Sequence, residues 1–204
     1  NRRAGFFMTW IDSHCHLDFE HFQDQPTLIQ QLKSIGCNRV MVPAIEAQYF
    51  HRVISFKNRH EDMVDIALGL HPYFLDRHSP KDLELLDQYL EGNRPSAVGE
   101  IGLDFKLDES GFQEQLYYFE SQVRLAKKHH LPIIVHCRKA HDEVASILRK
   151  LDFSFGGLIH GFSGSIQQAE RYIDLGCALG LGGALTFDRA KAMHKMVDAL
   201  PDCS

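Results

Sequence analysis

Seven short apolar runs, each divided from the next by a longer stretch of helical periodicity, constrain this chain more than any other feature. The runs are Trp10–Leu17, Arg39–Ala44, Val64–His71, Ala97–Asp104, Pro132–Cys137, Gly157–Phe162 and Cys177–Leu181. Each is strand-sized and ends near Gly, Pro or a polar residue. Between them, Leu28, Leu32 and Ile35 share one helical face, as do Leu83, Leu86 and Leu90, with Ser79 as N-cap and Pro80 at the first helical position. Phe112, Leu116, Phe119 and Val123 form a longer stripe, and Val144, Ile147, Leu148 and Leu151 another. Ser165 and Gln168 read as a capping box ahead of Ile166, Ala169 and Ile173, and Met193, Met196, Val197 and Leu200 make the last stripe. These stripes predict helices packed on a sheet. Strand and helix in alternation imply parallel strands joined by right-handed crossovers. Both an open doubly wound sheet and a closed (β/α)8 barrel satisfy that pattern. Periodicity does not separate them; the placement of polar residues does.

The chain has 204 residues, 44% of them hydrophobic, which is enough for one domain with a sizeable core. It holds no apolar run long enough to span a membrane. Asn1–Phe7 precedes the first patterned segment and reads as an N-terminal extension, leaving 8–204 as one domain, an incomplete barrel if the seven strands are those of a (β/α)8 fold. The five cysteines are odd in number and form no C-x-x-C, which argues against a disulfide framework or zinc ribbon and fits a reducing cytoplasm. A net charge of -5 argues against a broad basic surface, so an anionic substrate must be drawn in locally, as a bound divalent cation would do.

The polar residues within the apolar runs carry the chemistry. His14 and His16 are two apart, so on a strand they share a face, where imidazoles make poor core residues but good ligands for a first-row divalent metal. In Gly99–Asp104, Glu100, Gly102 and Asp104 share the face opposite Ile101 and Leu103. A Glu turned to a barrel axis is costly without a cation beside it, and the motif contains no basic residue to serve. Pro132–Cys137 places His136 at the end of an almost purely apolar strand, and Gly157–Phe162 does the same with His160. All these positions sit at or near the C-terminal ends of expected strands, where barrel active sites converge. His71 lies at a strand end, in reach of a phosphate, and Arg138 follows His136 by two and shares its face. Asp104 is placed to support a ligand. Cys15 and Cys137 neighbour ligands, so they point outward and read as packing residues.

In order, H-C-H-L-D at His14–Asp18, G-L-H-P at Gly69–Pro72, G-E-I-G-L-D at Gly99–Asp104, H-C-R at His136–Arg138 and H-G-F-S-G at His160–Gly164 resemble the TatD family. Val42–Phe50 and Gly180–Thr186 are similar to its YjjV-type branch, and the likeness runs from Met8 to about Leu200. The resemblance implies a metal-dependent TIM-barrel-like (β/α)8 hydrolase, a deoxyribonuclease that cleaves DNA phosphodiesters through a water activated by two metals. It implies that His14 and His16 bind one ion, His136 and His160 the second, and that Glu100 bridges them. The ions would be two of Mg, Mn or Zn. The expected partner is DNA, single-stranded or at its ends, with no membrane and no obligate protein partner. Glu100, Arg138 and His71 are the expected catalytic residues. The family's last ligand is an aspartate on an eighth strand; only seven strands are counted here, and neither Asp198 nor Asp202 is placed to be that residue. The alternative readings are an amidohydrolase-type deacylase or esterase using the same metals, and a catalytically silent metal-binding fragment.

Overall fold

The computed structural model describes residues 9–19, 22 and 24–200. The segment read as an extension, 1–7, and Asp202 lie outside the described residues. Seven strands form one sheet: β1 (Trp10–Asp12), β2 (Cys37–Pro43), β3 (Val64–Leu68), β4 (Ala97–Asp104), β5 (Ile133–Arg138), β6 (Gly157–His160) and β7 (Cys177–Leu179). Every pairing is parallel and the spatial order follows the sequence from β1 to β7. The helices are α1 (Gln25–Ser34), α2 (Phe50–Arg59), α3 (Pro80–Asn93), α4 (Phe112–His129), α5 (His141–Lys150), α6 (Ile166–Asp174) and α7 (Lys191–Ala199). One helix follows each strand, so the fold is the TIM-barrel-like one, here in seven strands among the described residues. None of these helices is long and apolar enough to cross a membrane.

Local sequence explains the starts of several elements. Pro80 opens α3 with Ser79 before it, and the Asp82 carboxylate accepts the Ser79 N–H at 2.7 Å. At α6 the box is reciprocal: Ser165 Oγ accepts from Gln168 N–H, and Gln168 Oε1 accepts from Ser165 N–H. In α1 the buried residue is Ile29, while Ile35 caps the end and is 64% exposed, against the expected stripe. The expected strands overran at their C-terminal ends. β1 stops at Asp12, β3 at Leu68 and β6 at His160, because the chain turns there into the loops that form the barrel mouth.

The sheet has two differently furnished faces. Outward-facing Val40, Val42, Ile66, Ile101, Val135 and Ile159 pack with helical residues such as Phe50, Phe119 and Tyr172 in the main core. A smaller cluster joins Ala67, Ala97 and Ile134, flanked by Met41 and Leu158. Ile134 pairs with Leu158, and two residues later His136 pairs with His160. The face that carries this small cluster therefore turns from apolar to imidazole as the strands run toward their C-terminal ends.

Candidate metal centre

Glu100 is the hub. It lies on β4, 2% exposed, and its own N–H is tied to Ala44 O at 3.0 Å. Four imidazoles surround its carboxylate. His14 Nε2 and His16 Nε2 lie 3.3 and 3.5 Å from Oε2. His71 Nε2 and His136 Nδ1 lie 3.3 and 3.4 Å from Oε1. His160 stacks on His14 with ring centroids 3.5 Å apart and planes 14° from parallel. These residues come from the loops after β1 and β3, from within β4 and β5 and from the end of β6, so the sheet curls enough to bring both flanks to one point.

The separations say what the cluster is built for. Direct N–H···O bonds cluster at about 2.7–3.2 Å. A tetrahedral ion with bonds of about 2.0–2.1 Å instead sets neighbouring donor atoms about 3.3–3.4 Å apart. The contacts of His14 and His136 to Glu100, at 3.3 and 3.4 Å, fall on the second figure, and that of His16, at 3.5 Å, lies just beyond it. Burial pushes the Glu100 carboxyl up, but the nitrogens of His136, His14, His16 and His71 outweigh it and hold it well below the usual carboxylate range. A buried carboxylate ringed by imidazole nitrogens is a donor set that suits a divalent cation. Nδ1 of His14 and of His16 is buried and, among the described residues, without a partner, a cost of about 1–3 kcal/mol for each such group. The fold carries that cost while turning the other nitrogen of each ring to Glu100.

Residues 11–203 match the family profile described as TatD related DNase. The chain belongs to the TatD family. It is 42% identical over 196 residues to the metal-dependent hydrolase YjjV of Escherichia coli K12, covering 94% of this chain and 75% of the relative. The crystal structure of that TatD homologue superposes with a TM-score of 0.90 at 40% identity, covering 96% of this chain and 76% of the other. It is also 27% identical over 180 residues to the 3'-5' ssDNA/RNA exonuclease TatD of Pantoea ananatis, covering 87% of this chain and 69% of the relative. The protein is therefore a TatD-type metal-dependent hydrolase.

Within this TatD-family site the geometry departs from the expected pairing of ligands. His14 and His16 are not on a strand; they lie in the loop after β1. They still face one way, because Asp12 Oδ1 accepts the His14 N–H and Met41 O accepts the N–H of Cys15 between them. The donor atoms nearest one another group as His14, Glu100 and His160 on one side and His71, Glu100 and His136 on the other. The curl of the sheet carries His160 over to His14, which strand order alone would not suggest.

The second ring nitrogen separates the roles of His71 and His136. His136 Nε2 lies 3.0 Å from Asp104 Oδ2, so its proton sits there and Nδ1 turns a lone pair to the centre. His71 Nδ1 accepts the Tyr73 N–H at 3.0 Å, so its proton sits on Nε2 and points at the centre. His136 is set up as a ligand and His71 as a hydrogen-bond donor. Arg138 Nη1 lies 3.2 Å from the same Asp104 oxygen, and its half-exposed side chain lines a cleft of about 650 Å3 together with His136, His160, Lys106 and Lys139. The Cys15 and Cys137 thiols are both pushed up by burial, Cys137 to about 12, so neither is an anionic nucleophile.

Two supports escaped the sequence reading. Gln115 and Gln122 lie two turns apart on the buried face of α4. Gln115 bonds both the N–H and the C=O of Asp104, and Gln122 does the same for Leu70, next to His71. Polar residues inside an apolar helical stripe were the signal available. On the close side, a Cβ at Gly102 would meet His136 O at 1.9 Å, and φ there is +148°, so only glycine lets β4 lie this near the ligand strand.

Proposed function

We propose that this chain hydrolyses phosphodiester bonds of DNA, taken as single strands or strand ends, with two divalent ions held about Glu100. The observation that carries the reading is the buried Glu100 hub, with ring nitrogens of His14 and His16 about one carboxylate oxygen and of His136 about the other. His14, His16 and His160 would hold an ion on the Oε2 side, and His136 one on the Oε1 side, with Glu100 common to both. Bound there, magnesium, manganese or zinc supplies an activated water and neutralises phosphoryl charge. The remaining work falls to side chains. Asp104 fixes the His136 tautomer. His71 presents Nε2–H to a phosphoryl oxygen. Arg138, with Lys106 and Lys139 in the same cleft, draws the backbone in, as a chain of net charge -5 requires. The TatD relatives named as single-strand exonucleases support the substrate class.

Turnover of a single-stranded oligonucleotide, a carboxylic ester and an N-acyl substrate, each with and without chelator, tests this. Chelator-sensitive cleavage of DNA is expected. Ester or acyl turnover without DNA cleavage would instead give the deacylase reading. No turnover of any substrate with ions bound would give the silent metal-binding one.

A further inference from the structure

A second cleft opens on the β1–β3 side of the mouth, away from Arg138. It encloses about 360 Å3 and is lined by Phe19, Glu46, Tyr49, Arg52, Phe74 and Arg77. It begins where the histidines end. The Phe19 ring lies 4.8 Å from that of His16 at 17°, and the Phe74 ring 5.9 Å from that of His71. The Arg52 guanidinium lies 4.1 Å over Tyr49 and 5.6 Å from Phe19, and Arg77 lies 5.0 Å over Phe74.

Charge separates this cleft from the one beside Arg138. Arg52 is paired with buried Asp18 at 2.8 Å, and Arg77 with buried Glu46 at 3.3 Å. Two guanidiniums and two carboxylates cancel, so the cleft is no phosphate trap. What it presents is π surface, stacked guanidinium planes and hydrogen-bonding edges. Unpaired nucleobases are bound by that combination, stacked on aromatic rings and on arginine planes. The volume sits at the low end for small-molecule pockets and gives room for one base and its sugar, while a base still in its pair has its polar edge taken by its partner.

We propose that this cleft holds one unpaired nucleobase of the strand whose backbone crosses the Glu100 centre. Phe74 and the Tyr49–Arg52 layer stack on the base, while Glu46 and Arg77 face its polar edge. The site rests on the nuclease reading and deepens it: the cleft selects single strands and frayed ends by admitting a base only when its partner is gone.

The test uses Tyr49→Leu and Phe74→Leu, which keep apolar bulk and lose the ring, with Phe74→Tyr as a variant that keeps it. Binding of a fluorescein-labelled ten-residue oligodeoxyadenylate is followed by anisotropy in chelator, so nothing is cut. Each Leu variant should bind about fivefold or more weaker, while Phe74→Tyr binds like the parent. An abasic residue walked along the oligonucleotide should weaken parent binding at one position and change nothing further in the Leu variants. A ten-residue abasic oligonucleotide carries the backbone and no ring to stack, and all variants should hydrolyse it at the parental rate. Parental affinity in both Leu variants, or undiminished abasic sensitivity in them, overturns the site and leaves the nuclease reading intact. Ring-dependent binding in a parent that cuts neither substrate supports the base site and refutes the nuclease reading instead.

Discussion

Asp104→Asn isolates the tautomer argument. Asp104 is fully buried. Its Oδ1 accepts the Lys106 N–H at 3.0 Å, and its Oδ2 faces His136 Nε2 at 3.0 Å and Arg138 Nη1 at 3.2 Å. Asparagine is nearly isosteric and can keep the bond to Lys106 N–H through its single oxygen. Its NH2 then meets two donors where the carboxylate offered an acceptor. The clash at His136 is relieved if the imidazole moves its proton to Nδ1 and accepts at Nε2. Nδ1–H then points at Glu100, and the lone pair offered to an ion is lost. Losing such an orienting partner lowers metal affinity about 10- to 100-fold, or about 1.4–2.8 kcal/mol. The Arg138 guanidinium is half-exposed and can turn to water, so the cost there is small. Calorimetric titration of Mn2+ into chelator-stripped parent and variant measures the effect directly, and a thermal melt of each metal-free form checks the fold. A variant that stays folded and binds metal within about threefold of the parent would refute the assigned tautomer.

Four further outcomes follow from the same geometry. His71→Ala removes a donor aimed at the centre but no lone pair, so kcat on single-stranded DNA should fall about 100-fold with metal content unchanged by elemental analysis; lost metal would make His71 a ligand. Arg138→Ala should lower DNA turnover about tenfold at parental metal content, and parental turnover would remove it from substrate binding. Gln122→Leu strands the Leu70 N–H and C=O in the core, so a urea titration should show a loss of about 1–3 kcal/mol for each group left unpaired; an unmoved midpoint would contradict the clamp. The last concerns pH in the metal-free chain. Burial and neighbouring His14 push His160 down to about 4, whereas an unfolded histidine titrates near about 6.5. The contribution of His160 to stability is thus whole above about 6.5 and lost as pH falls toward about 4. Burial pulls His136 down, but Glu100 and Asp104 outweigh it and raise it, so its contribution runs the opposite way and is lost as pH rises through the raised value. The difference between His160→Phe and parent isolates the first group: melting midpoints should shift in the variant's favour from pH 6.5 down to 4, and a pH-independent difference would show that His160 is not held neutral.

Much of this was legible in the chain itself. Strand and helix patterns alternate because parallel strands buried on both faces must be apolar and their crossover helices amphipathic, and those constraints are local. The placement of Glu100, His136 and His160 in apolar strands was legible for the same reason, since an ionisable group in such a run is conspicuous. Tertiary structure alone decided how the ends converge. No local signal says that the sheet curls far enough to lay His160 on His14, because that depends on the summed twist of strands distant in sequence. The opposite tautomers of His71 and His136 depend on what touches the far ring nitrogen, an N–H from Tyr73 in one case and the Asp104 carboxylate in the other. Gln115 and Gln122 have no assigned role beside the stripe of Phe112, Leu116, Phe119 and Val123; packing alone sets them against the backbone of Asp104 and Leu70. The cleft of Phe19, Tyr49, Arg52, Phe74 and Arg77 draws on three separate segments, and only the folded chain sets their rings and guanidiniums face to face.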